Sequence, residues 1–292
     1  MCAVKRKTIT TIITTRKRAA LMIDLHAHIL PGVDDGPATW AAAIELCRQL
    51  VSQGVTGVVA TPHFHPGGYP DTGHVLELAA ELSDKLRSAG LPLTVYPGAE
   101  AYLVPELPQL VAAQAVLTLN NAGRYLLVEL PLEEIPSCTE NVIFSLMLDG
   151  ITPILAHPER NARLRDKPEI LITLVERGAL VQVNAGSLVG EFGTRVQKFA
   201  TDLVRQGMAH FLGSDAHCLR KRPPLWPVVM PQLEKLAGQE AVLALTINNP
   251  AALLAGTEDF TSYEHPFPLV QESNFWRRVL SRLLGKKTDY FL

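Results

Sequence analysis

Several features that would assign a function quickly are missing from this chain of 292 residues. Only four cysteines occur, Cys2, Cys47, Cys138 and Cys218, and they show neither a CxxC pair nor zinc-finger spacing. A disulfide framework and a structural zinc site are therefore excluded as organising devices, and a reducing compartment such as the cytoplasm fits. No apolar run approaches the roughly 20 residues needed to span a bilayer, so a membrane-spanning protein is not expected. The formal net charge is only −2. Without a global basic field the chain is not expected to hold nucleic acid or an anionic membrane, and any phosphate binding must be local. There is no GxGxxG after the first apolar run and no GxxxxGK[ST] anywhere, which removes both nucleotide-binding fingerprints.

What is present is ample core material: 47% hydrophobic and 19% charged residues, the balance of a soluble globule. Short apolar runs alternate with amphipathic stretches, the pattern of successive βα units and a parallel sheet. The spacing predicts strands near 22–28, 55–61, 93–98, 124–130, 151–156, 179–184 and 208–213. It predicts helices over 38–53, closed by Gly54, over 74–89, closed by Gly90, and over 168–177, opened by Pro168 and closed by Gly178. Seven such units suggest a closed or nearly closed βα barrel, although an open doubly wound sheet carries the same local signature. Residues 1–21, with Lys5-Arg6-Lys7 and Arg16-Lys17-Arg18 around a Thr/Ile stretch, are read as an extension too polar for a signal-peptide core. Met22 is the expected natural start. The chain after residue 225 reads as helical. A short basic amphipathic helix is expected over 274–287, where Phe275, Trp276, Val279, Leu280 and Leu283 share one face and Arg277, Arg278 and Arg282 the other. Docking on its own domain or on a partner is the favoured role for it over membrane attachment.

The chemistry lies at the strand ends. Asp24-Leu25-His26-Ala27-His28 closes the first strand, and alternation puts His26 and His28 on one face, within reach of one ion. Alone, an HxH pair is weak evidence, because two strand histidines are as easily ordinary polar positions. The second strand, however, runs into His63, the third into Glu100, the fourth carries Glu129, the fifth ends His157-Pro158-Glu159-Arg160, and the seventh ends Ser214-Asp215-Ala216-His217. In βα barrels the C-terminal strand ends converge on one face, where the active site sits. Each residue has a structural alternative, such as an N-cap for Asp215 or a hydrogen-bonded core acid for Glu129, but jointly these require coincidence at equivalent positions. In Asp34-Asp35-Gly36, Asp35 could fold back over the same opening, while Asp34 is read as a turn or capping acid. Five imidazoles and four carboxylates exceed one tetrahedral zinc site. They suit two or three divalent ions, and the nitrogen and oxygen donors without thiolate are compatible with Mn, Fe or Zn. Three such ions with a bridging hydroxide would leave about one positive charge, enough to attract an anion. Arg160 and Arg222 lie near His157 and His217 in sequence, and a guanidinium fork matches phosphate oxygens.

The strings MIDLHAHILPGVDDGP, VATPHFHPGGY, YPGAE, YLLVEL, ITPILAHPERN and FLGSDAH resemble, in order and spacing, the PHP (polymerase and histidinol phosphatase) superfamily. Within it they look most like the bacterial CpsB/CapC-type metal-dependent protein tyrosine phosphatases of capsular and exopolysaccharide operons. The resemblance covers about residues 22–256, leaving 1–21 as an extension and 257–292 as a tail. It implies a distorted seven-stranded βα barrel with a trinuclear, commonly manganese-loaded centre. It implies that His26, His28, Glu100 and Asp215 hold one ion, that Glu100 bridges to a second held by Glu129 and His157, and that Asp35, His63 and His217 hold a third. Arg160 and Arg222 would grip the phosphate. The role of His65 is left open, because family members vary there.

The expected reaction is in-line attack on phosphorus by a metal-bridged hydroxide, with metals and arginines absorbing the developing charge. No cysteine is followed six residues later by arginine, so the loop of thiol-based tyrosine phosphatases is absent. The resemblance further implies, as partner, the tyrosine-rich tail of a cytoplasmic bacterial kinase, and self-association is compatible with it. Two other readings stand beside this one: a PHP phosphatase of a small phosphoester such as histidinol phosphate, and a metal-binding regulatory module without turnover.

Overall fold

A computed structural model describes residues 22–65 and 71–263; the expected amphipathic segment at 274–287 and the leader 1–21 lie outside them. Nine strand segments are described. They are β1 (Met22–Ala27), β2 (Val55–Ala60), β3 (His63–Phe64), β4 (Thr94–Pro97), β5 (Glu100–Tyr102), β6 (Tyr125–Glu129), β7 (Thr152–Ala156), β8 (Leu180–Asn184) and β9 (Phe211–Gly213). Two of the expected strands thus carry on, after a two-residue break, into second segments: β2 into β3, and β4 into β5. Every pairing is parallel, in the orders β1-β2-β4 and β3-β5-β6-β7-β8-β9.

The two sheets curl toward each other. An isolated parallel bridge joins Ala27 to Ala216, where His28 N donates to Ala216 O (2.8 Å) and Asp215 N to His26 O (2.7 Å). On the other flank Thr61 N donates to Ala27 O and Glu100 N to Pro62 O, both at 3.0 Å. Strand β1 is therefore tied to the chain after β9 on one side and to the chain after β2 on the other.

Among the described residues, ten α-helices connect and cover the strands: α1 (Trp40–Ser52), α2 (Thr72–Ser88), α3 (Leu107–Ala112), α4 (Thr139–Leu148), α5 (Ala162–Asp166), α6 (Pro168–Glu176), α7 (Ala185–Leu188), α8 (Thr194–Arg205), α9 (Trp226–Leu243) and α10 (Asn249–Leu254). Their limits follow from local chemistry. Thr39 caps α1 by accepting from Ala42 N, and Ala43, Leu46, Cys47 and Leu50 form its buried stripe at helical spacing. Asp71 caps α2 through His74 N at 2.8 Å, and Lys85 and Arg87 occupy its last turn, where cations favour the helix dipole. No helix among the described residues is long and apolar enough to cross a membrane.

Strand alternation divides the core in two. Along β6, Leu126 and Val128 pack with the helices, whereas Tyr125 and Leu127 join an inner cluster with Ile23, Leu25, Val59, Ile154, Ala156 and Phe211. Leu253 of α10 belongs to this inner cluster too, and the Tyr125 hydroxyl donates to Thr257 O (2.8 Å). The inside of the curl is thus filled and closed at the strand N-termini, so the C-terminal ends are left to carry polar side chains. Leu155 on the helix side is fully buried. Leu155→Ala is expected to cost about 2–5 kcal/mol, read as a lowered urea midpoint at unchanged slope.

Candidate metal centre

The histidine pair of β1 meets as alternation predicts, with His26 Nε2 and His28 Nε2 3.2 Å apart. Glu100 Oε2 lies 3.3 Å from each nitrogen, and Asp215 Oδ1 lies 3.5 and 3.4 Å from them. Four ligand atoms around a dication at about 2.1 Å sit about 3.4 Å apart when tetrahedral. These measured edges match that spacing. Glu100 and Asp215 are almost wholly buried, and neither Glu100 Oε2 nor Asp215 Oδ1 has a hydrogen-bond partner among the described residues. Two buried carboxylate oxygens converging without donors on two imidazole nitrogens call for a cation.

Further donors adjoin this set. His28, Asp35, His63 and His217 can offer atoms to one ion, and so can His63, Glu100 and Glu129. His157 Nε2 stands 2.8 Å from Glu100 Oε1 and 3.8 Å from Glu129 Oε1, while His217 Nε2 is 3.0 Å from the exposed Asp35. All nine residues singled out in the sequence as ligands are brought together. The grouping departs from the implied partition: His28 also reaches the set of Asp35, His63 and His217, and His63, 3.0 Å from Glu100 and 3.4 Å from Asp35, joins Glu100 and Glu129 where His157 was implied.

Two candidate ligands adopt left-handed backbone: His157 at φ 31° and Asp215 at φ 53°. Such conformations cost roughly 1–3 kcal/mol each, and at both strand ends they turn the side chain out of the strand's alternation. Gly213 gives the matching close approach, since a Cβ there would lie 2.6 Å from His26 Cβ.

A ring of residues not read as ligands in the sequence surrounds the candidate ligands. Asp34, read as a turn acid, does accept from Gly36 N at 2.9 Å, but it also takes His28 Nδ1 at 2.7 Å and His63 N at 3.2 Å. Gln182 Oε1 meets His26 Nδ1 at 2.9 Å. Both partners leave the Nε2 atoms aimed into the cluster, the usual orientation device for metal-binding imidazoles. Asp24 is buried and accepts from Ser214 N (2.9 Å) and Trp226 Nε1 (3.3 Å), tying β1 to β9 and α9. Asp215 Oδ2 accepts from Asn184 Nδ2 (2.8 Å), Arg160 Nη1 (2.8 Å) and Arg222 Nη2. Arg222 Nη1 also reaches His217 Nε2 at 2.9 Å, and the Arg160 guanidinium lies 4.4 Å over the Phe192 ring. The two arginines therefore converge at the rim of the cluster. The signal for the supporting set was faint: Gln182 and Asn184 alternate with Val181 and Val183 in a strand otherwise apolar.

Electrostatics favour cation binding. Burial raises Glu129, and the Glu100 charge adds to it, pushing the group up to about 7. Burial opposes charging of His26 and His28, yet neighbouring carboxylates prevail and raise both. Burial and Arg160 lower His157, which stays a neutral donor. In the metal-free cluster Glu129, His26 and His28 take up protons that an entering cation would displace.

A curled parallel α/β sheet, bearing a carboxylate and imidazole cradle at its strand C-termini, places the protein among metal-binding α/β proteins of hydrolase architecture. The family model for capsular polysaccharide synthesis, CpsB/CapC, matches residues 22–255, and the chain belongs to that family. It is 40% identical over 228 residues to "Tyrosine-protein phosphatase YwqE" of Bacillus subtilis (strain 168), covering 78% of this chain and 89% of the relative. A solved structure from work on YwqE of Bacillus subtilis and CpsB of Streptococcus pneumoniae, described as metal-dependent tyrosine phosphatases, matches with a TM-score of 0.78. Its identity is 38%, covering 85% of this chain and all of the other. A phosphotriesterase homology protein of Escherichia coli shares the fold at a TM-score of 0.56 and 12% identity, over 81% of this chain and 99% of the other.

Asp34→Ala, which frees His28 Nδ1, is expected to weaken Mn²⁺ binding about 10–100-fold with the circular dichroism spectrum preserved, as measured by titration calorimetry. Because cations displace protons from Glu129, His26 and His28, affinity is expected to fall as pH is lowered from about 8 to 6. Calorimetry in buffers of different ionisation enthalpy should register net proton release.

Proposed function

We propose that the protein is a metal-dependent protein-tyrosine phosphatase acting on the phosphorylated, tyrosine-rich tail of a bacterial tyrosine kinase of capsular or exopolysaccharide synthesis. The observation that carries this reading is the buried four-atom cradle of His26, His28, Glu100 and Asp215, with its two unpartnered carboxylate oxygens, in a chain of the CpsB/CapC family. The kinship to YwqE, called a tyrosine-protein phosphatase, directs the choice of substrate.

Within the proposal, residues 22–256 form the catalytic unit, a distorted seven-stranded barrel of PHP type. Counting β2 with β3 and β4 with β5 as interrupted single strands supports that number. Three divalent ions, manganese by preference, are held by His26, His28, Glu100 and Asp215, by Glu100, Glu129 and His157, and by Asp35, His63 and His217. When bound, the ions supply a water deprotonated near neutral pH and positive charge against the phosphoryl oxygens. Arg160 and Arg222 present planar forks at the rim and take the non-bridging phosphate oxygens. Asp215 keeps both guanidiniums oriented until an anion arrives. Asp34 and Gln182 fix the imidazole tautomers. The tyrosine leaving group, with a pKa of about 10, departs without a strong general acid. The reducing-compartment composition supports a cytoplasmic location.

Manganese-loaded protein is expected to hydrolyse a phosphotyrosine peptide, to lose activity to chelator and to regain it on reloading. His157→Ala or Glu100→Ala should cut turnover by several orders of magnitude while the fold survives. Clear kinetic preference for histidinol phosphate over the peptide would overturn the substrate assignment, and absence of turnover under every divalent ion would leave only a regulatory metal-binding role.

A further inference from the structure

The strands that deliver His63 and Glu100 do not stop at those ligands. In the parallel pairing of β3 with β5, His63 lies directly opposite Glu100. Two residues further along come Tyr102 in β5, on the same face as Glu100, and His65, the residue just after β3. Tyr102 therefore stands one rung beyond Glu100, and His65 follows His63 at the same sequence offset. Their rings meet with centroids 4.5 Å apart at an interplanar angle of 30°. Tyr102 is paired in register with Glu129 of β6, which joins the ligand cluster, so its phenol rises from the same inner face. Burial and the charges of Glu129 and Glu134 hold that phenol in its neutral form. His65 is exposed and Tyr102 partly so. In the order β3-β5-β6-β7-β8-β9, His65 follows the first strand and Tyr102 stands on the second, and Arg160 and Arg222 follow β7 and β9 toward the other end.

We infer that His65 and Tyr102 form an aromatic wall that receives the phenyl ring of the substrate, selecting aryl over alkyl phosphates at the proposed phosphatase site. The inference rests on the function proposed above and deepens it. A phosphoryl group at the level of His63 and Glu100 projects its ester substituent toward solvent, and one rung of strand advances about 6.6 Å, the height at which an aryl ring attached to that phosphate sits. An imidazole and a phenol already in contact offer a preformed edge against which a third ring can pack, worth about 0.5–1.5 kcal/mol beyond its buried area. The site then has two differently equipped sides: arginines for the anion, aromatic rings for what it is attached to. A serine phosphate reaches the former and misses the latter.

The test uses the manganese-loaded protein with two non-hydrolysable probes, phenylphosphonate and methylphosphonate, and reads their affinities by calorimetry. The wild type should favour phenylphosphonate. Tyr102→Leu and His65→Leu should each reduce that preference about three- to tenfold, with methylphosphonate affinity and bound metal unchanged, while Tyr102→Phe retains it. For a phosphotyrosine peptide the same leucine variants should raise KM with little change in kcat. His65 is exposed, so its variant remains informative if Tyr102→Leu fails to fold. An undiminished phenyl preference in His65→Leu and Tyr102→Leu overturns the inference. So does an equal loss for both phosphonates, which would make the pair a support for the metal cluster. A phenyl preference that depends on these residues in a protein unable to hydrolyse phosphotyrosine would keep the aromatic wall and remove the proposed reaction.

Discussion

Everything at the strand ends depends on the burial of negative charge without donors. Glu100 and Asp215 direct oxygens that accept no hydrogen bond among the described residues toward the imidazole nitrogens of His26 and His28, with His63 beside Glu100. Removing a carboxylate from water costs several kcal/mol unless a counter-charge repays it. Protons on His26 and His28 can supply part of that charge, a divalent ion all of it. The surrounding architecture serves this one constraint. The curl brings β1 beside the chain after β9, the left-handed backbone at His157 and Asp215 redirects two ligands, and Asp34, Gln182 and Asp24 fix orientations from behind.

That dependence explains why the polar cluster sits where it does. The inner face of the sheet is apolar from the strand N-termini upward, through Tyr125, Leu127, Ile154 and Phe211, and turns polar toward the other end, at His26, Glu100, Glu129 and Gln182. An apolar floor lowers the local dielectric and so strengthens both the repulsion among the carboxylates and their attraction for cations. The same floor keeps ligand side chains from relaxing away from one another. The capacity of the cluster to hold cations thus depends on the packing beneath it as well as on its own donor atoms.

Much of this was legible in the sequence because both signals are periodic. The period-2 apolar runs marked the strands within a few residues of their observed limits, as at 152–156, 180–184 and the start of β1, and ligand-type residues recurred at the ends of those runs. Less legible were features that depend on contacts across long sequence separation. Nothing local distinguishes Asp34 from a turn acid, since its bond to Gly36 N is that of a turn, and its contact with His28 appears only once the loop folds over β1. Gln182 and Asn184 read as polar residues on a half-buried strand, and their partners lie 156 and 31 residues away. The strand continuations at His63–Phe64 and Glu100–Tyr102 were hidden because they are two and three residues long and begin with the ligands themselves, whose polarity breaks the apolar pattern.

The bridge between Ala27 and Ala216 has a temporal side. His26 and His28 emerge early in synthesis and Asp215 very late, with the ties between Asp24 and Ser214 spanning 190 residues. A ribosome-bound chain cannot present the complete first set of ligands until its last strand has left the exit tunnel and docked against its first. The four-residue cradle of His26, His28, Glu100 and Asp215 is therefore complete only once β9 has docked against β1.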